Sequence, residues 1–250
     1  MNHLPRQPPP LGSRAILGQR WSDVVFLHWR VDPEAVEPFM PPGCSADVFD
    51  GDSWVGLVGF QMSDSSFFGG PRIPWLGSFP EVNVRLYSVD AQGRRGVVFR
   101  SLEASHLVPV MVARAAFGLR YQWASMKRER TDDEVAYRTV RHGRRSAVSE
   151  FTIRPTPERA GDGELSGDPL STFLTARWGF HERRRGRTIY CRNHHEPWPL
   201  QRAELLRLDD GLLEAAGFEG VADRAPESVL YAPAVRTVFA APQTLQQPTV

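Results

Sequence analysis

Glu81-Val82-Asn83-Val84-Arg85-Leu86-Tyr87 is the most regular alternation in the chain. Its period of two places Val82, Val84 and Leu86 on one face of a strand and Glu81, Asn83, Arg85 and Tyr87 on the other. If the aliphatic face packs a core, the polar face is either the solvent side of an open sheet or the lumen of a closed one. In a lumen, an acid, an amide, a guanidinium and a phenol would form a pocket floor for a carboxylate or carbonyl ligand.

A turn over Ala91 to Arg95 leads to a second strand, Val97 to Ala104, antiparallel to the first. Upstream, Val24 to Val31 is β-branched and aromatic and reads as a strand. Asp32-Pro33-Glu34 offers an N-cap, a proline at the first helical position and an early acid, so a short helix is expected to about Met40, ended by Pro41-Pro42-Gly43. Asp50-Gly51-Asp52 predicts a hairpin between Ser45–Phe49 and Trp54–Met62, followed by loop from Ser63 to Pro80. Downstream, His106 to Gly118 reads as the principal helix. Gln122–Arg130, Val135–His142 and Ala147–Arg154 read as strands, and a short helix is expected near Pro169 to Ala176. Two strands flank Arg183-Arg184-Arg185-Gly186, Leu212 to Ala216 reads as a short helix, and Leu230-Tyr231 and Val235–Phe239 close the fold. The expected class is mostly β (α+β). A single domain is expected over residues 20–240, between a proline-rich tail at residues 1–19 and a second tail at 241–250.

Composition narrows the function. Thirty basic against 29 acidic residues leave a net charge of +1, which argues against nucleic acid as a partner. Lys127 is the single lysine, so amine chemistry such as a Schiff base has one candidate residue. Cys44 and Cys191 match no metal motif or disulfide framework. No apolar run has the length of a membrane span, so no membrane partner is expected, and Met1 to Pro10 carries prolines where a signal peptide is apolar. The expected location is the cytoplasm.

The remaining motifs are weak. In His194-His195-Glu196, neighbours on a strand point to opposite faces; His194 and Glu196 could share an ion but lack a third ligand, so no metal is expected. Arg183-Arg184-Arg185-Gly186-Arg187 fits a solvated turn better than a phosphate patch. No serine elbow, Walker loop or dinucleotide glycine pattern is present, and no cofactor is expected.

Several segments together resemble the YqjF-like family, a domain of unknown function in the acetoacetate-decarboxylase-like superfamily. They are His28-Trp29-Arg30-Val31-Asp32-Pro33-Glu34 with Pro41-Pro42-Gly43, Trp54-Val55-Gly56-Leu57, Phe79-Pro80 leading into Glu81–Tyr87, Gly118-Leu119-Arg120-Tyr121, Phe173-Leu174-Thr175, Pro197-Trp198-Pro199-Leu200-Gln201 and Leu230-Tyr231-Ala232-Pro233. The resemblance implies a cone-shaped antiparallel β-barrel around a ligand cavity, with the polar stripe in its lumen. It matches Arg30 and Glu81 to an arginine and an acid of the decarboxylases. Arg114 and Gly118 are kept, whereas Arg120 replaces a proline and Tyr121 and Gln122 replace two lysines, the first of which forms the imine. A phenol and an amide cannot condense with a ketone.

Two functions follow as expectations. In the first, Arg30, Glu81, Asn83, Arg85, Arg114 and Tyr121 bind a small carbonyl or carboxylate compound. In the second, Glu81, Tyr121 and Arg30 catalyse enolisation, hydration or dehydration of an oxo-acid by acid–base chemistry. Assembly as a homo-oligomer is left open.

Overall fold

In a computed structural model, residues 6–72, 78–105, 118–143, 146–156 and 167–245 are described. The expected helix over His106 to Gly118 lies almost wholly outside them. The described strands are β1 (Ala15–Val31), β2 (Cys44–Ala46), β3 (Ser53–Phe67), β4 (Phe79–Asp90), β5 (Arg95–Ala104), β6 (Tyr121–Arg130), β7 (Val135–Arg141), β8 (Val148–Pro155), β9 (Gly179–Arg184), β10 (Arg187–His194), β11 (Gln201–Asp210), β12 (Ser228–Ala240) and β13 (Gln243–Thr244). The described helices are short: α1 (Pro33–Val36), α2 (Pro169–Thr175) and α3 (Leu212–Ala215).

All thirteen strands join one sheet that closes on itself. The pairings β1–β3–β4–β5–β9–β10–β12 return to β1 and make a ring. Strands β6, β7, β8 and β11 form an arch outside it, from β5 across to β12.

Two cores follow from this geometry. Inside the ring, Val24, Phe26, Val58, Phe60, Met62, Phe79, Leu102, Tyr121, Leu230 and Phe239 form one apolar cluster, which α2 plugs with Phe173 and Leu174. Between the ring wall and the arch, Val25, Leu27, Val55, Leu57, Val82, Val84 and Leu86 meet Val135, Tyr137, Phe151 and Ile153. Strands β1, β3 and β4 are thus buried on both faces, which is why Val24–Trp29 and Trp54–Phe60 read as near-continuous apolar runs. Wall and arch approach closely at Gly59, where a Cβ would stand 2.7 Å from Phe151 Cζ.

Several boundaries differ from expectation. The N-terminal tail ends early, because β1 begins at Ala15 and Ile16 and Leu17 pack on the inner core. Past Ala240, Gln243–Thr244 add β13 to the edge of β10. Only the Phe49–Asp52 bridge closes the turn at Asp50-Gly51; β2 pairs with β4 instead of β3. Strand β11 has no counterpart in the sequence reading. A register shift between Leu205 and Arg207 breaks its alternation, so Ala203, Leu205 and Leu208 pack inward while Leu206 is exposed.

Candidate ligand cavity

The ring encloses a cavity of about 320 Å³. Its wall is mainly apolar, with Trp21, Phe26, Phe60, Phe99, Trp198 and Phe239 among the lining rings. The β4 stripe sends three polar groups into it, and this inward set is fixed by register: Glu81 pairs across to Phe60 and Ala104, Asn83 to Val58 and Leu102, and Arg85 to Gly56 and Phe99. Tyr121 reaches the same wall because β6 pairs in parallel with β5, placing Tyr121 beside Leu102.

Glu81 and Tyr121 make the first polar group. Tyr121 Oη donates to Glu81 Oε2 at 2.9 Å, and Asn83 Nδ2 donates to Glu81 Oε1 at 3.4 Å. Glu81 is only 2% exposed. Burial pushes its carboxyl up to about 7, against the opposing pull of the Tyr121 and Asn83 hydrogen bonds. Burial and the neighbouring carboxylate push the Tyr121 phenol well above its ordinary range, so it stays a donor. Asn83 Oδ1 is buried and has no partner among the described residues.

Arg85 and Arg177 make the second. Arg85 Nε donates to Tyr87 Oη at 3.2 Å and an Nη donates to the Leu174 carbonyl of α2 at 3.0 Å; no carboxylate pairs with it among the described residues. Tyr87 Oη lies 2.6 Å from His28 Nε2. Burial, reinforced by Arg85 and Arg177, holds His28 well below its ordinary pKa and therefore neutral, while Tyr87 Oη accepts from Arg85. Arg177, 3% exposed, donates to Asp47 Oδ2 at 2.5 Å and to the Phe173 carbonyl at 2.7 Å. Its Nη2 has no partner among the described residues. Asp47 also pairs with Arg95 at 3.3 Å. One carboxylate thus serves two guanidiniums, Arg85 has none, and this end of the cavity carries uncompensated positive charge.

The candidates read from sequence are distributed unequally. Glu81, Asn83, Arg85 and Tyr121 converge on the cavity. Arg30 does not, and its expected role is corrected: it lies on the same strand face as Phe26 and His28 but beyond the last β1–β12 pair at His28–Ser228, where its side chain emerges 46% exposed and pairs with Asp52 at 3.1 Å. Arg114 lies outside the described residues. Lys127 is on the arch, 69% exposed and paired with Glu129. Arg177, Asn193 and His195 line the cavity and were not anticipated. A signal for Arg177 existed: it is the one charge between Leu170 and Phe180, a stretch otherwise of apolar, hydroxyl and glycine residues. His195 stood out only within His194-His195-Glu196, where metal binding was the question; it is held by the Glu196 carbonyl at 2.7 Å and by Trp178 and Trp198, and burial lowers its pKa to about 4. The described residues contain no group of three or more potential metal ligands, and no helix among them is long and apolar enough to cross a membrane.

A family profile, DUF2071, described as "Uncharacterized conserved protein", matches residues 18–236. The uncharacterized protein YqjF of Bacillus subtilis (strain 168) is 33% identical over 189 residues, 76% of each chain. Among solved structures, an acetoacetate decarboxylase-like enzyme from Sphingomonas wittichii RW1 superposes with a TM-score of 0.65 at 16% identity, over 94% of each chain. The enduracididine biosynthesis enzyme MppR complexed with pyruvate gives 0.62 at 16% identity, over 94% of this chain and 93% of that one. Acetoacetate decarboxylase from Legionella pneumophila gives 0.56 at 12% identity, over 91% and 87%. At these identities the likeness is one of fold: mostly β and acetoacetate-decarboxylase-like.

Proposed function

The chain belongs to the DUF2071 family of uncharacterized conserved proteins, and from that premise we propose that its cavity binds a carboxylate-bearing carbonyl compound without forming an imine to the protein. The observation that carries this reading is Arg85, a guanidinium facing an apolar cavity with no carboxylate partner among the described residues. Arg85 is half-buried, so its charge is only partly hydrated and no carboxylate balances it, and an anionic ligand would offset that loss. The unpartnered Nη2 of Arg177 supplies a second donor. At the other end, Tyr121 and a protonated Glu81 supply hydrogen bonds for a carbonyl oxygen. MppR, of the same fold, is described in complex with pyruvate. An imine needs an amine in the cavity, and Lys127 points to solvent from the arch.

Thermal-shift titration with oxo-acids and with their methyl esters tests the reading. The acids should raise the melting temperature by mass action and the esters should not; equal responses, or none from either set, would overturn it. Borohydride added with acetoacetate should leave no covalent adduct, and one mapped to Lys127 would remove the imine-free part.

A second reading, catalysis of enolisation by the same pocket, draws on one observation: the Glu81 carboxyl is poised at about 7, suited to a general base near neutrality. Ionised Glu81 would take the proton from the carbon next to the ligand carbonyl, and Tyr121 would hold the resulting enolate oxygen. Deuterium uptake into a bound oxo-acid, followed by NMR, should be accelerated by the wild type and lost in Glu81→Gln. Binding without accelerated exchange leaves the simple binding function.

A further inference from the structure

The spacing of the two polar groups along β4 extends the binding reading above, on which it rests. Glu81 and Arg85 are four residues apart on an extended strand, so their Cα atoms are about 13 Å apart at ~3.3 Å per residue. The side chains do not close that gap. Glu81 is tied to Tyr121 and Asn83, whereas the Arg85 guanidinium stands over the Phe26 and Tyr87 rings and bonds Tyr87 Oη and the Leu174 carbonyl, with no ion pair between the two. Between them the wall is formed by Val58 and Leu102 with the amide of Asn83.

In a 2-oxo acid the carbonyl and carboxylate carbons are directly bonded, so a molecule the size of pyruvate can satisfy one end of this cavity but not both. Volume gives the same answer. A cavity of ~150 Å³ suffices for a benzene ring, and this one holds about 320 Å³, enough for a ring or short alkyl chain with a polar group at each end.

We infer that the ligand is an elongated keto acid, aryl or medium-chain, whose carboxylate rests on Arg85 and Arg177 and whose carbonyl rests on Glu81 and Tyr121, with a ring or several methylene groups between the two. The apolar middle takes the spacer, and Asn83 Oδ1, buried and unpartnered, adds an acceptor for a hydroxyl or amino substituent on it.

The test is calorimetric titration of the wild type with pyruvate, acetoacetate, 5-oxohexanoate, 7-oxooctanoate and 4-acetylbenzoate. Affinity should rise along the methyl-ketone series by roughly tenfold for every two methylenes buried, and 4-acetylbenzoate should bind more tightly than pyruvate. Pyruvate or acetoacetate binding as tightly as the longer acids would overturn the inference while leaving the anion-binding reading intact. No binding by any of the five would remove that reading and this inference together. A spacer-site variant, Val58→Phe, should weaken 7-oxooctanoate and 4-acetylbenzoate while sparing pyruvate; equal weakening of all three would place the spacer elsewhere.

Discussion

Arg85 and Arg177 are both cavity guanidiniums, yet their surroundings predict opposite consequences for removing them. Arg177 shares Asp47 with Arg95 and bonds the Phe173 carbonyl, so Arg177→Met strips a buried carboxylate of its main partner and should cost about 3–5 kcal/mol of stability. Arg85 neutralises no carboxylate among the described residues; Arg85→Met gives up bonds to neutral oxygens but also relieves an unpaired charge, and should cost no more than about 1 kcal/mol. Denaturant unfolding of the two variants checks the ordering. Glu81 supplies a pH dependence. Its folded pKa, about 7, lies above its ordinary value of 4.5, so the stability it contributes is fully present below about 4.5 and is lost as pH rises through about 7. Glu103 and Glu182, also raised to about 7, titrate in the same window. The Glu81 part is therefore the difference between wild type and Glu81→Gln, which should unfold with a flatter pH profile between 4.5 and 7. Ligand anions should also bind less tightly above pH 7, where ionised Glu81 adds negative charge to the cavity, and that loss should vanish in Glu81→Gln.

At the scale of elements, β4 shows what a sequence can disclose. Its alternation sorts Val82, Val84 and Leu86 from Glu81, Asn83 and Arg85 without ambiguity, but whether the polar face meets water or a lumen depends on pairings between strands far apart in the chain, such as β10 with β12. Local pattern carries no trace of those. Strand β11 was hidden for a local reason, the bulge at Leu206, and Arg30 was misplaced because residues sharing a strand face need not share a compartment when the strand outruns the ring. Arg177 was legible as the lone charge between Leu170 and Phe180, though nothing in that stretch indicated which cavity it faced. The double burial of the wall is testable at Gly59: Gly59→Ala brings a Cβ to 2.7 Å from Phe151 Cζ and 3.0 Å from Tyr137 Cδ2, and should destabilise the protein by about 1–3 kcal/mol through overpacking. Thermal unfolding checks this; an unchanged melting temperature would mean that the arch does not lie against the wall as described.

For the whole molecule, closure of the sheet does two things at once. It leaves the inner face of β1, β3 and β4 to line a cavity while the outer face packs under the arch, so the wall that carries Glu81 and Arg85 is braced from behind by Tyr137, Phe151 and Ile153. A braced wall fixes the separation of acid and guanidinium before a ligand arrives, which lowers the ordering cost of binding. Amide exchange should accordingly be slowest in β1, β3 and β4 and fast at β2 and β13, short strands at the two ends of the strand order. Ligand choice in this cavity turns on its preference for an anion held by Arg85. Titrating 4-acetylbenzoate and its methyl ester into wild type and Arg85→Met should give at least about tenfold tighter binding of the acid to the wild type, and no preference in the variant. Equal affinity of wild type for acid and ester, or an acid preference that survives Arg85→Met, would contradict it.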